Sequence, residues 1–252
     1  MLMINMFMKD PLANSLAVIV LITLVLCWIA SLAIILKDTR VDAAQSWHNK
    51  LLPAFALLGL PATLDLLQTN GLTLALATIA TLVLILNLVI PILRLTRKSA
   101  HPLVVDWNKW AVPFLVAAGL AVAGYLAFVE AANASPICGP VGDCNAVQNS
   151  KYAILFGVLP IGILGLVGYL AILAAWLVRQ FGPASLNKWS DLAIWGFCIF
   201  GVLFSAYLTF LEPFVIGATC MWCITSAVLM ILLLWVTTPA AQQALTIPEE
   251  DD

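Results

Sequence analysis

Charge is what this chain has least of. Its 252 residues hold 11 Lys and Arg, 13 Asp and Glu and two His, so 10% of the sequence is charged and the formal net charge is -2. Soluble globular domains carry about 25% charged residues. So little positive charge leaves no phosphate-binding footprint and excludes a nucleic-acid binder. A cytosolic enzyme is excluded as well, and so is disorder, because hydrophobic residues reach 63% and mean hydropathy is +1.06. Period-two alternation is also missing, which argues against a membrane barrel. The start of the chain lacks a secretory-leader pattern: Asp10 follows Lys9 at once, and Leu36 runs into Lys37 rather than a small-residue cleavage site.

Long apolar runs are what the chain does have. A helix needs about 20 apolar residues to cross the hydrocarbon core. Stretches 16–36, 51–67, 72–93, 111–129, 152–178, 192–211 and 215–236 meet or approach that length. The second carries Pro53, Pro61 and Asp65 and is open to a tilted or re-entrant course. The expected fold is all-α, a polytopic bundle. With an external N-terminus, Lys37, Arg40, Lys50, Arg94, Arg97, Lys98, Lys109, Arg179 and Lys188 fall on one side of the membrane, and only Lys9 and Lys151 on the other. Positive residues gather on the cytoplasmic face, so loop 131–151 is expected outside. Trp47, Trp107, Trp110 and Trp189 mark the cytoplasmic span ends.

Four of the six cysteines fall on that external side. Cys138 and Cys144 lie in the loop among Pro136, Gly139, Pro140 and Gly142, and Cys220-Met-Trp-Cys223 lies about five residues into the last span. A Cys-x-x-Cys near a helix N-terminus has a thiolate favoured by unpaired backbone N–H groups and the positive end of the dipole. Residues three apart share a helix face, so the two sulfurs can pair. Two dithiols within reach form a relay by thiol–disulfide exchange, in a compartment oxidising enough for disulfides to persist. The competing readings are two static structural disulfides or a four-thiolate zinc site. Haem attachment is disfavoured because Ile224, not His, follows Cys223. Cys27 and Cys198 lie inside apolar spans and read as packing residues. Glu130 and Glu212 read as solvated charges at external helix ends, with a proton relay as the alternative. His48 and His101 fall on the cytoplasmic side and receive no role.

The run Cys138-x5-Cys144-Asn-Ala-Val-x-x-Ser150-Lys-Tyr152-Ala-Ile-Leu-Phe-Gly157-Val-Leu-Pro160, followed two spans later by Cys220-Met-Trp-Cys223-Ile-Thr-Ser-Ala, resembles the vitamin K epoxide reductase family. The resemblance covers the last four spans, residues 105–238. It leaves 1–104 as an N-terminal membrane region of about three further spans with no assigned role, and 239–252 as an acidic cytoplasmic tail. It implies a four-helix bundle around a quinone, ubiquinone or menaquinone. Cys138 is then expected to exchange with the partner, Cys144 to exchange with Cys220, and Cys223 to face the quinone. Ser150 corresponds to the family's loop-proximal Ser or Thr and is expected to support the redox centre by hydrogen bonding; it could equally cap the fifth span. Trp222 is expected either to stack on the quinone or to belong to the interfacial belt.

Animal members reduce vitamin K epoxide, whereas many bacterial relatives oxidise a secreted thioredoxin-like protein and reduce quinone. Ala227 stands where the animal enzymes carry Tyr, which favours the second activity. A tail of about fourteen residues after Thr238 leaves no room for the thioredoxin domain that some relatives carry, so the partner is expected as a separate thioredoxin-like protein of the DsbA kind. The expected setting is a bacterial cytoplasmic membrane, with lipid around the bundle and the site facing the periplasm or exterior. The alternatives are a reductase working mainly on vitamin K epoxide or quinone, and a non-enzymatic membrane protein with structural disulfides.

Overall fold

The computed structural model describes residues 7–36, 103–138, 142–155 and 157–246. The expected second and third spans lie outside the described residues. Six α-helices organise the rest: α1 Pro11–Leu36, α2 Leu103–Ala131, the short α3 Cys144–Gln148, α4 Ile161–Phe181, α5 Asn187–Leu211 and α6 Met221–Thr246. All but α3 are long and apolar enough to cross a membrane. The chain is therefore an all-α polytopic membrane bundle, as expected.

Helices α2, α4, α5 and α6 form a closed ring, each packed on the next, and α1 lies along the seam between α5 and α6. The core contains Leu24, Val116, Tyr169, Ile172, Cys198, Val202, Ile231 and Leu234, all essentially without exposure. Large apolar side chains also cover the outside, among them Phe114 at 77% and Phe200 at 60% exposure, as lipid-facing helices require. Trp110 and Trp189 are both exposed at the end of the bundle away from the cysteine pairs, where an aromatic belt belongs.

Lipid offers no hydrophobic reward for helix association, so packing and interhelical hydrogen bonds must supply it. Along α1 these bonds recur. Ser31 Oγ lies 2.8 Å from Thr238 Oγ1 and accepts the Trp195 indole N–H at 2.9 Å. The Cys27 thiol points at the Ile231 carbonyl, and Gln242 donates to the Ile34 carbonyl. The C-terminal part of the first span is thus fastened to α5 and α6.

Helix boundaries differ from the sequence expectation in instructive ways. Helix α1 begins at Pro11, because Asp10 caps it by accepting the Ala13 N–H at 3.1 Å and proline suits the first helical position. The fifth span was expected from 152, but α4 begins at Ile161. The residues before it form a two-residue antiparallel hairpin, β1 Ile154–Leu155 and β2 Leu159–Pro160, around Gly157 at φ +72°. Ser150 therefore does not cap that helix; Pro160 occupies the cap position. The last helix starts at Met221 rather than near 215. Pro213 lacks an N–H for the α ladder, and Glu212–Ile216 winds instead into a π turn that Gly217 closes at φ +76° with its N–H on the Glu212 carbonyl.

Candidate redox site

That late helix start decides the setting of the Cys-x-x-Cys. Cys220 stands immediately before α6, its carbonyl accepting the Ile224 N–H at 3.0 Å, so it is the cap residue rather than a residue more than a turn inside. Its sulfur takes hydrogen bonds from the Cys223 thiol and from the backbone N–H groups of Cys223 and Trp222. A sulfur in the capping position thus receives the free donors of the first turn, as a cap oxygen would. The Cys223 hydrogen bond, helped by these N–H groups, holds the Cys220 thiol below the usual range, against opposition from burial and from the Glu130 charge. Removing the strongest contribution by Cys223→Ala is expected to raise the pH at which Cys220 ionises, whereas Cys223→Ser, which keeps a donor, should leave it low. Thiolate ultraviolet absorbance against pH, in the reduced protein with Cys220→Ala subtracted, checks this.

The loop pair sits at the same end. Cys138 and Cys144 form a disulfide with Cα atoms 5.9 Å apart, while Cys220 and Cys223 are free thiols. Asp143 caps α3 by accepting the Ala146 N–H, which fixes Cys144 in the first turn of that helix. The Asp143 N–H donates to the Thr219 carbonyl at 3.0 Å. One backbone hydrogen bond therefore joins the residue before Cys144 to the residue before Cys220. Cys144 is fully buried and Cys138 is partly exposed, so the two loop sulfurs face different surroundings.

Glu212 corrects the sequence expectation of a solvated end charge. It is 2% exposed, its carboxylate accepts the Cys220 N–H at 3.2 Å, and it is hydrogen-bonded to the Cys223 side chain. The available signal was a lone acidic residue inside an apolar run eight positions before Cys220; ionisable residues at membrane depth mark function by default. Glu130 is half-buried and accepts the Gly162 N–H with both carboxylate oxygens at 3.0 Å. It satisfies the N-terminus of α4, where Pro160 offers no side-chain cap.

Ser150, Glu130, Glu212 and Cys223 border one small cleft. The Ser150 hydroxyl is buried there with no hydrogen-bond partner. Beyond Cys223 opens an apolar cavity of about 110 Å³, walled by α2, α4, α5 and α6 through residues such as Ala123, Gly165, Tyr169, Phe204 and Met230. The few polar groups at its wall include the Tyr169 hydroxyl, which lies 3.1 Å from Ser226 Oγ. Trp222 does not line this cavity: its indole donates to the Ile137 carbonyl at 2.9 Å and packs on Tyr125, 4.5 Å between ring centroids, which ties the loop to α6. Among the described residues no group of His, Cys, Asp and Glu is arranged to hold a metal ion. Cys27 and Cys198 are buried thiols away from this end, in the packing positions expected of them.

The chain is 30% identical over 121 residues to thiol-disulfide oxidoreductase LTO1 of Arabidopsis thaliana, a match that takes in 45% of this chain and 31% of LTO1. The chain thus matches about a third of that relative's length. No solved structure gives a significant match. The model of the vitamin K epoxide reductase family matches residues 110–238, which take in α4 and α5 whole, most of α2 and α6, and both cysteine pairs. The chain belongs to the vitamin K epoxide reductase family.

Proposed function

We propose that the chain is a membrane thiol–disulfide oxidoreductase that passes two electrons from a thioredoxin-like protein, through Cys138–Cys144 and then Cys220–Cys223, to a membrane quinone, and so supports disulfide formation outside the cytoplasm. The observation that carries this reading is the Asp143 to Thr219 bond, which sets an oxidised loop pair beside a reduced helix pair. The name of LTO1 supports the chemistry. The charge bias of the connections supports a site on the non-cytoplasmic face, and the resemblance to bacterial family members supports a bacterial cytoplasmic membrane.

The exchange steps balance. A partner thiolate attacks the accessible Cys138 sulfur, Cys144 leaves with the electron pair, and the partner's second thiol closes its own disulfide and frees Cys138. Cys144 then attacks Cys220 of an oxidised Cys220–Cys223 bond, and Cys223 leaves and takes a proton. Cys138 displaces Cys220 and restores the loop disulfide. The net transfer is two electrons and two protons from the partner dithiol to Cys220 and Cys223. Their low-lying thiolate, Cys220, is the better leaving group in the last displacement.

A quinone fits the apolar cavity: Ala123, Gly165, Tyr169, Phe204 and Met230 would hold a flat lipophilic ring against Cys223, with the Tyr169 hydroxyl among the few polar groups at hand. When bound it supplies an acceptor for two electrons and two protons. Ser150, Glu130 and Glu212 line the polar approach to Cys223 from the loop side, where those protons must pass. The test needs no quinone. Protein oxidised at both pairs and mixed anaerobically with excess reduced partner is expected to oxidise two equivalents of partner dithiol per chain, and close to none when Cys138 and Cys144 are both Ala. Oxidation of one full equivalent by the doubly substituted protein, at the rate of the intact chain, would overturn the order of the relay.

A further inference from the structure

Helix α1 lies wholly outside the family match, yet its N-terminus touches both halves of the site. One Asp10 oxygen caps α1 through the Ala13 N–H, and the other accepts the N–H of Gly142 in the redox loop at 3.2 Å, across 132 positions of sequence. Asn14, with no exposure, accepts the Thr219 hydroxyl at 2.9 Å and donates to the Phe7 carbonyl. Gly142 holds φ +85°, and a side chain there would run into the Thr219 carbonyl. That same carbonyl takes the Asp143 N–H. Helix, loop and turn therefore meet at one knot, one residue from Cys144 on one side and from Cys220 on the other.

We propose that Asp10 and Asn14 are positioning residues for the relay: through them α1 clamps the loop at Gly142 to the turn at Thr219 and keeps Cys144 within reach of Cys220. The inference rests on the relay described above. A free loop must lose conformational entropy each time its sulfur finds its target. A loop already fastened presents that sulfur at a higher effective concentration, which speeds exchange without any new chemistry. The clamp is firm because α1 is itself anchored by Ser31 to Thr238 and Trp195, far along the bundle.

The test uses the full chain with Cys138→Ser and Cys223→Ser, which leaves Cys144 and Cys220 as the pair at the site. Equilibration against glutathione buffers of graded ratio gives the effective concentration of one thiol at the other. Asp10→Asn separates two roles, since asparagine caps a helix as well as aspartate but has a single oxygen and cannot also accept from Gly142. The expected result is about a tenfold fall in effective concentration in Asp10→Asn with an unchanged thermal midpoint, and a fall in both for Asp10→Ala. An effective concentration in Asp10→Asn equal to that of the Asp10 protein would overturn the clamp. No Cys144–Cys220 disulfide even with Asp10 present would overturn the relay itself.

Discussion

Cys220→Ser is expected to stop sustained oxidation of the partner, by about a thousandfold or more, while leaving the loop able to react once. A thousandfold loss corresponds to about 4 kcal/mol of transition-state stabilisation, at 1.36 kcal/mol per tenfold. The reason is positional. Cys220 is fully buried at the cap of α6, beside the knot at Thr219, and Cys223 lies a turn further in at the cavity. With Cys220 gone, electrons delivered to Cys138 and Cys144 have no neighbouring disulfide to enter. The loop thiols should then accumulate, and alkylation followed by mass measurement would show two modified loop cysteines per chain. Continued turnover in Cys220→Ser would mean that the loop thiols pass their electrons on without the Cys220–Cys223 disulfide, and would contradict the relay.

Glu212→Ala is expected to have the second-largest effect, and of a different kind. The carboxylate is buried, takes the Cys220 N–H and is hydrogen-bonded to the Cys223 side chain. Removing it leaves a buried backbone donor unpaired, which costs about 1–3 kcal/mol, and frees both cysteines to shift. A lower thermal midpoint in detergent and a relay slowed roughly 10- to 100-fold should result, the latter equivalent to about 1.4–2.7 kcal/mol. Glu212→Gln keeps a carbonyl oxygen for the Cys220 N–H and should recover most of the stability. If it also recovers the rate, Glu212 serves by holding the pair; if stability returns without the rate, the ionisable group itself carries protons. A full rate in Glu212→Ala would remove it from the site.

Much of this organisation was legible in the sequence because membrane helices announce themselves by composition. Five of the expected spans are present among the described residues, and both cysteine pairs meet at one end, as the count of intervening spans requires. Cys-x-x-Cys at a helix start was also readable. The finer placement was not, because hydropathy sees apolar residues and not the hydrogen bonds that start or stop a helix. Val215 and Ile216 look like span residues, but Pro213 diverts them into a π turn and Gly217 ends it, so Cys220 becomes a cap. Tyr152 to Pro160 is apolar enough to continue a span, and the hairpin around Gly157 takes it out of the helix.

Glu212 was misjudged for a related reason. Its distance along the chain from Cys220 suggests a helix end in water, whereas the π turn folds it back onto the pair it precedes. The partnership of Asp10 with Gly142 joins residues 132 positions apart and has no local signature. Trp222 shows the converse limit. Its place between two cysteines left stacking on a quinone and a place in the interfacial belt both open, and no local pattern announces that its indole bonds Ile137 and packs on Tyr125. Ser150, by contrast, borders the cleft that holds Cys223, although no hydrogen bond engages its hydroxyl.

The central claim is that electrons from a thioredoxin-like dithiol leave this protein on a quinone. The most direct measurement follows both ends at once: the protein reconstituted in lipid without oxygen, with reduced partner and a soluble quinone analogue, quinone absorbance recorded alongside partner disulfide. The relay predicts one quinone consumed for each partner disulfide formed, over many turnovers, with no consumption in Cys223→Ala. Partner oxidation without quinone loss, or quinone loss that persists in Cys223→Ala, would contradict it.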